Sequence, residues 1–565
     1  MTHRSCYIFV LLGTAFLIAF VMQVPQFLHT LDPGYQGVLV HLNSDEDVYF
    51  ARVEEALTGR PERSGDAIVG DVGIIGTQVA LFESVEGTLF RFTGWRAATV
   101  EQVMDSVVPP LLFLTLVLFF SLCGLSRWAA FAGALAFTVI EFYSLSRPVH
   151  QRDDFLVVFL AFSGIIAGLG GSAGVQRNFR WIWGVFGGML LGILVGAYFW
   201  AWTYGWLWLA LVFVWESAEW VRHRTPVSLR RIKCIVLFGL AGVVAALPSL
   251  VAWWRAAQNP LYADAAFRSG IYLSRMPESW PYMVLFTLMA SGTVVAGWQR
   301  PAVMRRYKYL IILVLTSFIA IHQQVIHGAV FNFVSHYLFA LVVGAIGLVL
   351  LWHAVRASGR SVLHVSAAAA VIYLAAIAYD GRYVLKQFTV TEGRFSEQHF
   401  ATLLPVLDAL PRSTVLSDPS SSLFVAGSTQ HDVVYTLYIK NLLMSHEEVA
   451  ERYCMTALAV PPEDRHFAEQ GLIWPDANAA FPAALRGSDE AKAVRAREIA
   501  LVEAACASTD KNPAAALEKF HVHYVLWDEK RNPEWDLTRL KMPLKKEAAG
   551  EGWSLWSLGT LSAPR

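Results

Sequence analysis

Three consecutive acidic residues stand near the start of the segment NSDEDVYFARVEEALTG, residues 43–59. The segment predicts an amphipathic helix with Ser44 as its N-cap. Asp45, Glu46 and Asp47 would occupy the first turn, where the helix dipole stabilises negative charge. One acidic residue would suffice for that purpose. Three in a row also favour a functional site, because perturbed carboxylates cluster where proton-transfer chemistry occurs.

The composition excludes a soluble protein of ordinary type. Of the 565 residues, 55% are hydrophobic and only 16% are charged, and 20 are Trp and 35 are Phe. Such a chain is predicted to cross a membrane several times. The formal net charge is zero, so the sequence shows no footprint of a nucleic-acid partner.

Eleven apolar segments of near-spanning length follow one another up to residue 379. They cover residues 7–24, 108–124, 128–145, 155–171, 181–198, 204–221, 234–253, 281–298, 309–325, 337–353 and 362–379. The first could be a cleaved signal peptide, but no small-x-small cleavage site follows it, so we expect an uncleaved span. The predicted fold is a polytopic α-helical membrane domain over residues 1–380.

Charge in the loops predicts the orientation of this domain. The long loop 25–107 contains 13 acidic and 5 basic residues, whereas the loops on the other side carry only basic residues between the spans. Basic loops stay in the cytoplasm. The N-terminus is therefore expected inside, and both the acidic helix and the C-terminus outside.

The sequence of the acidic helix resembles that of the GT-C superfamily. Members of this superfamily are multi-span glycosyltransferases such as protein mannosyltransferases and aminoarabinose lipid A transferases. Asp45-Glu46 followed by Tyr49, and the later Ala-Leu-x-Gly, match the opening of the first external loop in that superfamily. The resemblance implies an integral protein of a bacterial inner membrane that uses a polyprenyl-phosphate sugar as donor. It also implies that Asp45 or Glu46, with Asp47 beside them, acts as base towards the acceptor. Tyr49 and Arg52 would contact substrate.

Two further sets of polar side chains are candidates for binding substrate. Asp153 and Asp154 precede a span in the second external loop, where GT-C enzymes often have a second acidic position, although an interfacial polar collar explains them equally well. Arg268 and Arg275 lie in the fourth external loop. A guanidinium matches phosphate geometry, but arginines next to aromatic residues also anchor ordinary span ends.

The fifth external loop and the span ends beside it are dense in polar groups. His322, Gln324, His327 and His336 would line a substrate cavity, because polar side chains are costly in lipid. Packing between helices is the alternative. The spacing of the histidines fits no standard metal site, so a divalent metal is possible without being indicated.

Residues 381–565 contain no spanning segment and predict an extracytoplasmic α/β domain. Strands are expected at Ser413–Ser417, Val433–Tyr438, Phe520–Trp527 and Trp553–Leu558, and helices at Glu447–Leu458 and Ser488–Ala507. Cys454 and Cys506 fall in this region and would be free to pair in an oxidising compartment.

The sequence thus favours a membrane glycosyltransferase that transfers a sugar from a polyprenyl-phosphate donor to a lipid, glycan or protein. Two other classes remain open. One is a transporter or flippase of an anionic lipid-linked compound, although the paired, broken spans of such proteins are not evident. The other is a membrane scaffold without catalytic activity.

Overall fold

The structure is a computed structural model of the chain. It describes residues 3–42, 46–60, 68, 80–146, 151–170, 180–268, 271–273, 301–331, 337–356, 395–439, 442–465 and 489–559. The predicted domain boundary at residue 380 and the apolar segments 281–298 and 362–379 lie outside the described residues.

The part of the chain before residue 357 is almost entirely helical where it is described. Its helices are α1 (His3–Thr30), α2 (Glu46–Leu57), α3 (Leu81–Phe90), α4 (Ala97–Leu122), α5 (Arg127–Ile140), α6 (Phe142–Leu145), α7 (Arg152–Gly168), α8 (Arg180–Ile193), α9 (Phe199–His223), α10 (Pro226–Ala257), α11 (Tyr262–Arg268), α12 (Pro301–Arg306), α13 (Lys308–Ile321), α14 (Gln323–His327) and α15 (Tyr337–Arg356). A two-stranded antiparallel sheet, β1 (Ile271–Leu273) with β2 (Ala329–Phe331), interrupts them.

The apolar helices have the character of membrane-embedded segments. Three are long and apolar enough to cross a membrane, at Ser5–Thr30, Ala97–Leu122 and Pro226–Ala257, and several shorter apolar helices pack beside them. Large apolar side chains such as Phe16 and Val244 are well exposed on α1 and α10. Exposure of this kind along whole helices is expected where the solvent is lipid. Nine of the predicted apolar segments are mostly helical where they are described, although 128–145 is divided between α5 and α6 and 309–325 between α13 and α14. The count of eleven spans stays a prediction.

The first external loop differs from the predicted polar connection because α4 begins at Ala97, about three turns before the predicted span. Its first three turns therefore bring Glu101 and Asp105 onto a helix. The acidic helix α2 is present, and Gly59 after it adopts a φ of +87°, as expected at a helix end. Ser44 and Asp45 lie outside the described residues.

The C-terminal part is built on a five-stranded sheet. Its elements are α16 (Leu404–Ala409), β3 (Thr414–Leu416), α17 (Pro419–Ser428), β4 (Asp432–Val433), α18 (His446–Thr456), α19 (Asp489–Lys511), α20 (Pro513–Lys519), β5 (Val522–Asp528), β6 (Leu544–Gly550) and β7 (Trp553–Leu558). The strand order is β4-β3-β5-β7-β6, with β3, β4 and β5 parallel and β6 and β7 antiparallel.

The sheet confirms three of the four predicted strands and corrects the fourth. Only Asp432–Val433 is extended in the segment predicted as Val433–Tyr438, because the following residues turn away over the core. Strand β6 was not predicted, since LKKEAAG lacks the branched and aromatic residues typical of strands. Cys454 and Cys506 form a disulfide that joins α18 to α19.

The first external loop and the C-terminal sheet are in direct contact. Ile68 forms a parallel bridge with Val433 at the β4 edge of the sheet. The guanidinium of Arg60 donates to the carboxylate of Asp432 at 2.8 Å, and the guanidinium of Arg96 donates to the carbonyl of Ser428. Helix α2 is therefore held between the membrane helices and the sheet.

Candidate active site

The acidic turn at the start of α2 is only partly visible in the described residues. The carboxylate of Glu46 is buried and accepts a hydrogen bond of 3.0 Å from the backbone N–H of Leu42. Asp45 lies outside the described residues. The backbone of Asp47 is helical, and its side chain is outside the description. Glu46 therefore stabilises the chain entering the helix, as the capping explanation expects.

Tyr49 and Arg52 lie on the buried face of α2. The guanidinium of Arg52 contacts the carboxylate of Glu83 on α3 at 3.1 Å, and both side chains are almost fully enclosed. Burial raises the pKa of Tyr49 well above its usual value, and the nearby Tyr198 adds to the rise. The Tyr49 phenol is therefore a neutral hydrogen-bond donor at any physiological pH.

Arg152, the first residue of α7, is the centre of a buried ionic cluster. Its guanidinium is fully enclosed and contacts four carboxylates at 2.8–3.0 Å, those of Glu86, Glu101, Asp105 and Asp153. Glu86 comes from α3, while Glu101 and Asp105 come from the start of α4. One cation thus joins α3, α4 and α7.

Asp154 is different from its neighbours in this cluster. Its side chain is 0% exposed, and among the described residues neither carboxylate oxygen has a hydrogen-bond partner. Burial raises the pKa of Asp154 well above its usual value, and the nearby carboxyl groups of Asp153 and Glu83 raise it further. A buried carboxylate without partners is costly, so its presence calls for an interaction that the described residues do not supply.

The cluster as a whole has an excess of carboxyl groups. We refer to Glu83, Glu86, Glu101, Asp105, Asp153, Asp154, Arg52 and Arg152 together as the outer cluster. Its six carboxyl groups face two guanidinium groups. Burial raises the pKa of Glu86 well above its usual value, and the neighbouring carboxyl of Glu101 raises it further. Burial also raises the pKa of Glu83, although Arg52 opposes the rise. The buried carboxyl groups of Glu83 and Glu86 therefore hold their protons more tightly than exposed carboxyl groups do.

A cleft connects Glu46 with the outer cluster. It is a small cleft between the C-terminal end of α1 and the N-terminal end of α4. Glu46, Glu101 and Asp105 line it together with Gln23, Gln26 and Gln102. Asp153 and Asp154 do not line this cleft, and they are joined to it only through the contact of Arg152 with Asp105. A single cavity shared by the acidic turn and the second external loop therefore stays a prediction. His336, the third predicted part of the cavity, lies outside the described residues.

Arg268 is held by the C-terminal part. Its guanidinium is buried, donates to the backbone carbonyls of Leu442 and Met444 at 2.9 and 2.7 Å, and lies 3.2 Å from His446 Nδ1. Burial lowers the pKa of Arg268 to about 10, so the side chain stays charged at neutral pH. In this arrangement Arg268 anchors α11 to the segment before α18. Arg275 lies outside the described residues.

The polar side chains of the fifth external loop form a separate group. His322 Nδ1 contacts the carbonyl of Phe318 at 2.6 Å, and the buried Gln324 has an amide oxygen without a hydrogen-bond partner among the described residues. His327 is helical, and its side chain lies outside the description. The phenol of Tyr337 donates to Gln323 at 3.0 Å.

Aromatic contacts place this group near the acidic helix. The ring of Tyr337 packs against Phe199, which packs against Tyr198, the residue that neighbours Tyr49. Two ring contacts and the electrostatic influence of Tyr198 on Tyr49 therefore connect the fifth external loop with α2.

Four carboxylates of the outer cluster were missed from the sequence, namely Glu83, Glu86, Glu101 and Asp105. Their spacing held a usable signal, because positions three or four apart lie on one face of a helix. The signal was lost since residues 81–105 were assigned to a polar loop. Arg152 was considered only as part of an interfacial collar.

Among the described residues, no group of three or more His, Cys, Asp or Glu side chains has the geometry of a metal site.

Comparison with known proteins finds similarity in structure and none in sequence. No protein-family profile matches the chain, and no curated protein is significantly similar to it. Solved structures match the chain over nearly its whole length. One is the crystal structure of ArnT from Cupriavidus metallidurans in the apo state, which is 12% identical, with 98% of each chain covered and a TM-score of 0.49. Another is ArnT from the same organism bound to undecaprenyl phosphate, also 12% identical with a TM-score of 0.49, covering 99% of this chain and all of that one. The function proposed below rests on the side chains of the site.

Proposed function

We propose that the protein is a membrane glycosyltransferase that transfers a sugar from a polyprenyl-phosphate donor to a lipid, glycan or protein acceptor. The observation that carries the proposal is Asp154, a buried carboxylate whose two oxygens have no partner among the described residues. The partner would be the acceptor hydroxyl, brought into the outer cluster when substrate binds.

Asp154 would act as the general base. Its carboxylate takes the proton of the acceptor hydroxyl while that oxygen attacks the anomeric carbon of the donor sugar. The bond between the anomeric carbon and the phosphate oxygen breaks, and polyprenyl phosphate leaves as the anion. Asp45 remains a second candidate for the base because of its position in the motif.

The other side chains of the outer cluster would position Asp154 and tune its charge. Arg52 and Arg152 are occupied by carboxylates, so their role is to fix α3, α4 and α7 around the site. The donor phosphate then needs other cations. Arg268 and Arg275 remain the proposed pair. The Nε–H of Arg268 has no hydrogen-bond partner among the described residues and could donate to a phosphate oxygen.

The reaction would take place on the extracytoplasmic side. Two features support this side, namely the excess of acidic residues in the first external loop and the disulfide in the C-terminal part, since disulfides persist in oxidising compartments. Eleven spans with a cytoplasmic N-terminus and an extracytoplasmic C-terminus complete the proposed topology.

The test is a transfer assay with purified full-length protein, a radiolabelled polyprenyl-phosphate sugar and a membrane extract that supplies acceptors. We expect label to move to the extract with wild-type protein and not with Asp154→Asn folded at equal yield. Parallel reactions with a chelator report whether a divalent metal is needed. Equal transfer by Asp154→Asn, Asp45→Asn, Glu46→Gln and Asp47→Asn would refute the proposed site. Movement of intact donor across proteoliposomes without transfer would establish the flippase instead.

A further inference from the structure

Helix α3 has one face that no part of the described chain covers. Val85, Leu89 and Phe92 follow one another at intervals of four and three residues, and their exposed fractions are 45%, 69% and 92%. Glu83 and Glu86 lie on the opposite face and are almost fully buried in the outer cluster. The helix is thus amphipathic in an unusual sense, since its carboxylates point inward and its apolar side chains point outward.

Close packing fixes the orientation of this face. Helix α3 lies directly on α2, and Gly87 is the point of closest approach. A β-carbon at Gly87 would overlap the β-carbon of Ala56 and the carbonyl oxygen of Val53. The ion pair between Arg52 and Glu83 holds the same two helices together. Helix α3 therefore cannot turn its apolar side chains inward without breaking these contacts.

The exposed face continues into surfaces that are expected to meet lipid. Trp95 is 41% exposed and stands two residues before α4, one of the three helices able to cross a membrane. The side-chain amide of Gln23 on α1 donates to the carbonyl of Gln102 on α4 at 2.9 Å, which aligns these helices in depth. Measured along the two helices from this hydrogen bond, the exposed Leu31 after α1 and Trp95 before α4 lie at about the same depth.

We propose that Val85, Leu89, Phe92 and Trp95 form a membrane-interface anchor that dips into the outer leaflet of the bilayer. The composition fits that partner, because amphipathic aromatic residues concentrate at the level of the headgroups and an exposed arginine, Arg91, adjoins the patch and can meet lipid phosphate. A second copy of the chain is a poorer partner, since the patch is continuous with the lipid-facing sides of α1 and α4.

The anchor sets the depth of the outer cluster. A helix with its side chains is about 10–12 Å across, so Glu83 and Glu86 lie roughly one helix diameter from the lipid headgroups. If the proposed glycosyltransferase function holds, this distance lets a lipid-borne phosphate reach the site while its hydrocarbon tail remains in the membrane.

Spin labels at Leu89→Cys and Phe92→Cys test the anchor in proteoliposomes of the full-length protein. The free thiols Cys6, Cys123 and Cys234 are first replaced by Ala, and the disulfide is kept. We expect both labels to be more accessible to oxygen, which concentrates in lipid, than to a water-soluble nickel chelate. Leu240→Cys on α10 serves as the lipid-exposed control, and Lys492→Cys on α19, with a side chain that is 70% exposed, as the water-exposed control.

Each outcome decides the proposal. Accessibility like that of the Leu240 control supports the anchor, and it does so whether or not the protein transfers sugar. Accessibility like that of the Lys492 control, or protection from both reagents as in a protein–protein contact, overturns it. Loss of transfer in the assay above with lipid-like accessibility here would refute the proposed function alone.

Discussion

The protein has a second buried ionic cluster, and it differs from the outer cluster in its balance of charge. Glu216 on α9 is 1% exposed, forms an ion pair with Lys308 on α13, and lies 3.7 Å from the guanidinium of Arg231 on α10. We call these three residues the inner cluster. One carboxylate faces two cations there, whereas six carboxyl groups face two cations in the outer cluster.

The difference shows which cluster is built for stability. In the inner cluster the carboxylate is fully paired and the cations tie three helices together, which is what a structural ion pair does. In the outer cluster, Asp154 is buried and has no hydrogen-bond partner in the part of the chain that the structure describes. Native folds retain such a group mainly where function requires it.

The largest expected effect separates the two clusters by activity. Asp154→Asn should lower the rate of sugar transfer by roughly 10²–10⁴-fold, because a general base contributes about that much. Glu216→Gln is the matched amide substitution in the inner cluster and should leave the rate per folded molecule unchanged. Initial rates in the radiolabel assay, normalised to folded protein from size-exclusion chromatography, give the comparison. Equal losses in both variants would mean that charge in the two clusters serves the same purpose.

The second prediction concerns stability at the centre of the outer cluster. Arg152→Met should destabilise the fold by about 3–5 kcal/mol, since it leaves several buried carboxylates without their cation. Unfolding of purified protein in detergent, followed by tryptophan fluorescence, measures the change. Stability equal to wild type would show that these carboxyl groups are already protonated, and would weaken the case for an ionised base beside them.

The third prediction concerns the buried carboxyl group of Glu54 on α2. Burial raises its pKa from 4.5 to about 7, although the N–H of Ala97 donates to it at 2.9 Å and opposes the rise. Because the folded protein holds this proton more tightly than the unfolded chain, the contribution of Glu54 is fully present below pH 4.5 and is lost as pH rises through about 7.

Glu54→Gln keeps the acceptor for Ala97 and removes the titration. Relative to wild type, the free energy of unfolding of the variant should be higher by on the order of 3 kcal/mol above pH 7 and unchanged below about pH 4.5. The reason is that a pKa difference of one between the folded and unfolded states corresponds to about 1.4 kcal/mol. The difference between the two unfolding curves across this pH range is the measurement. A constant difference would show that the carboxyl does not change its protonation there.

The smallest expected effect tests the structural role of the inner cluster. Replacing both partners, Glu216→Gln with Lys308→Met, should leave stability within about 1 kcal/mol of wild type, because neutral groups of similar volume can replace a buried ion pair. Lys308→Met alone should be less stable to unfolding than the double variant, since it leaves the Glu216 carboxylate without Lys308. If the double variant loses sugar transfer while its unfolding is unchanged, the inner cluster also has a functional role.

The sequence predicted the helical membrane part well because hydropathy acts over whole segments. The nine apolar segments among the described residues are mostly helical, and three short strands of the C-terminal sheet were also found. It failed where tertiary contacts override local pattern. Glu101 and Asp105 were hidden because α4 extends beyond its apolar stretch, and β6 forms from Lys- and Glu-rich residues because β7 pairs with it.

The candidate site was predicted in position more than in detail. Asp153 and Asp154 were recognised from their place before a span, yet only the structure distinguishes them, since Asp153 pairs with Arg152 and Asp154 pairs with nothing among the described residues. Arg268 shows the reverse case. Its residue type suggested phosphate, but a contact with carbonyls some 175 positions later cannot be inferred from local sequence.

The contact between Arg60 and Asp432 has a consequence for biosynthesis, because 372 residues separate its partners. At roughly 5–20 residues per second, a ribosome needs about 20–75 s to make the intervening chain. During that interval the nascent first loop has neither β4 nor α17 to pack against, and the outer cluster cannot reach its final geometry. Chaperones and proteases would therefore meet this loop as an incomplete segment, and a chain truncated before Asp432 would present it to them permanently.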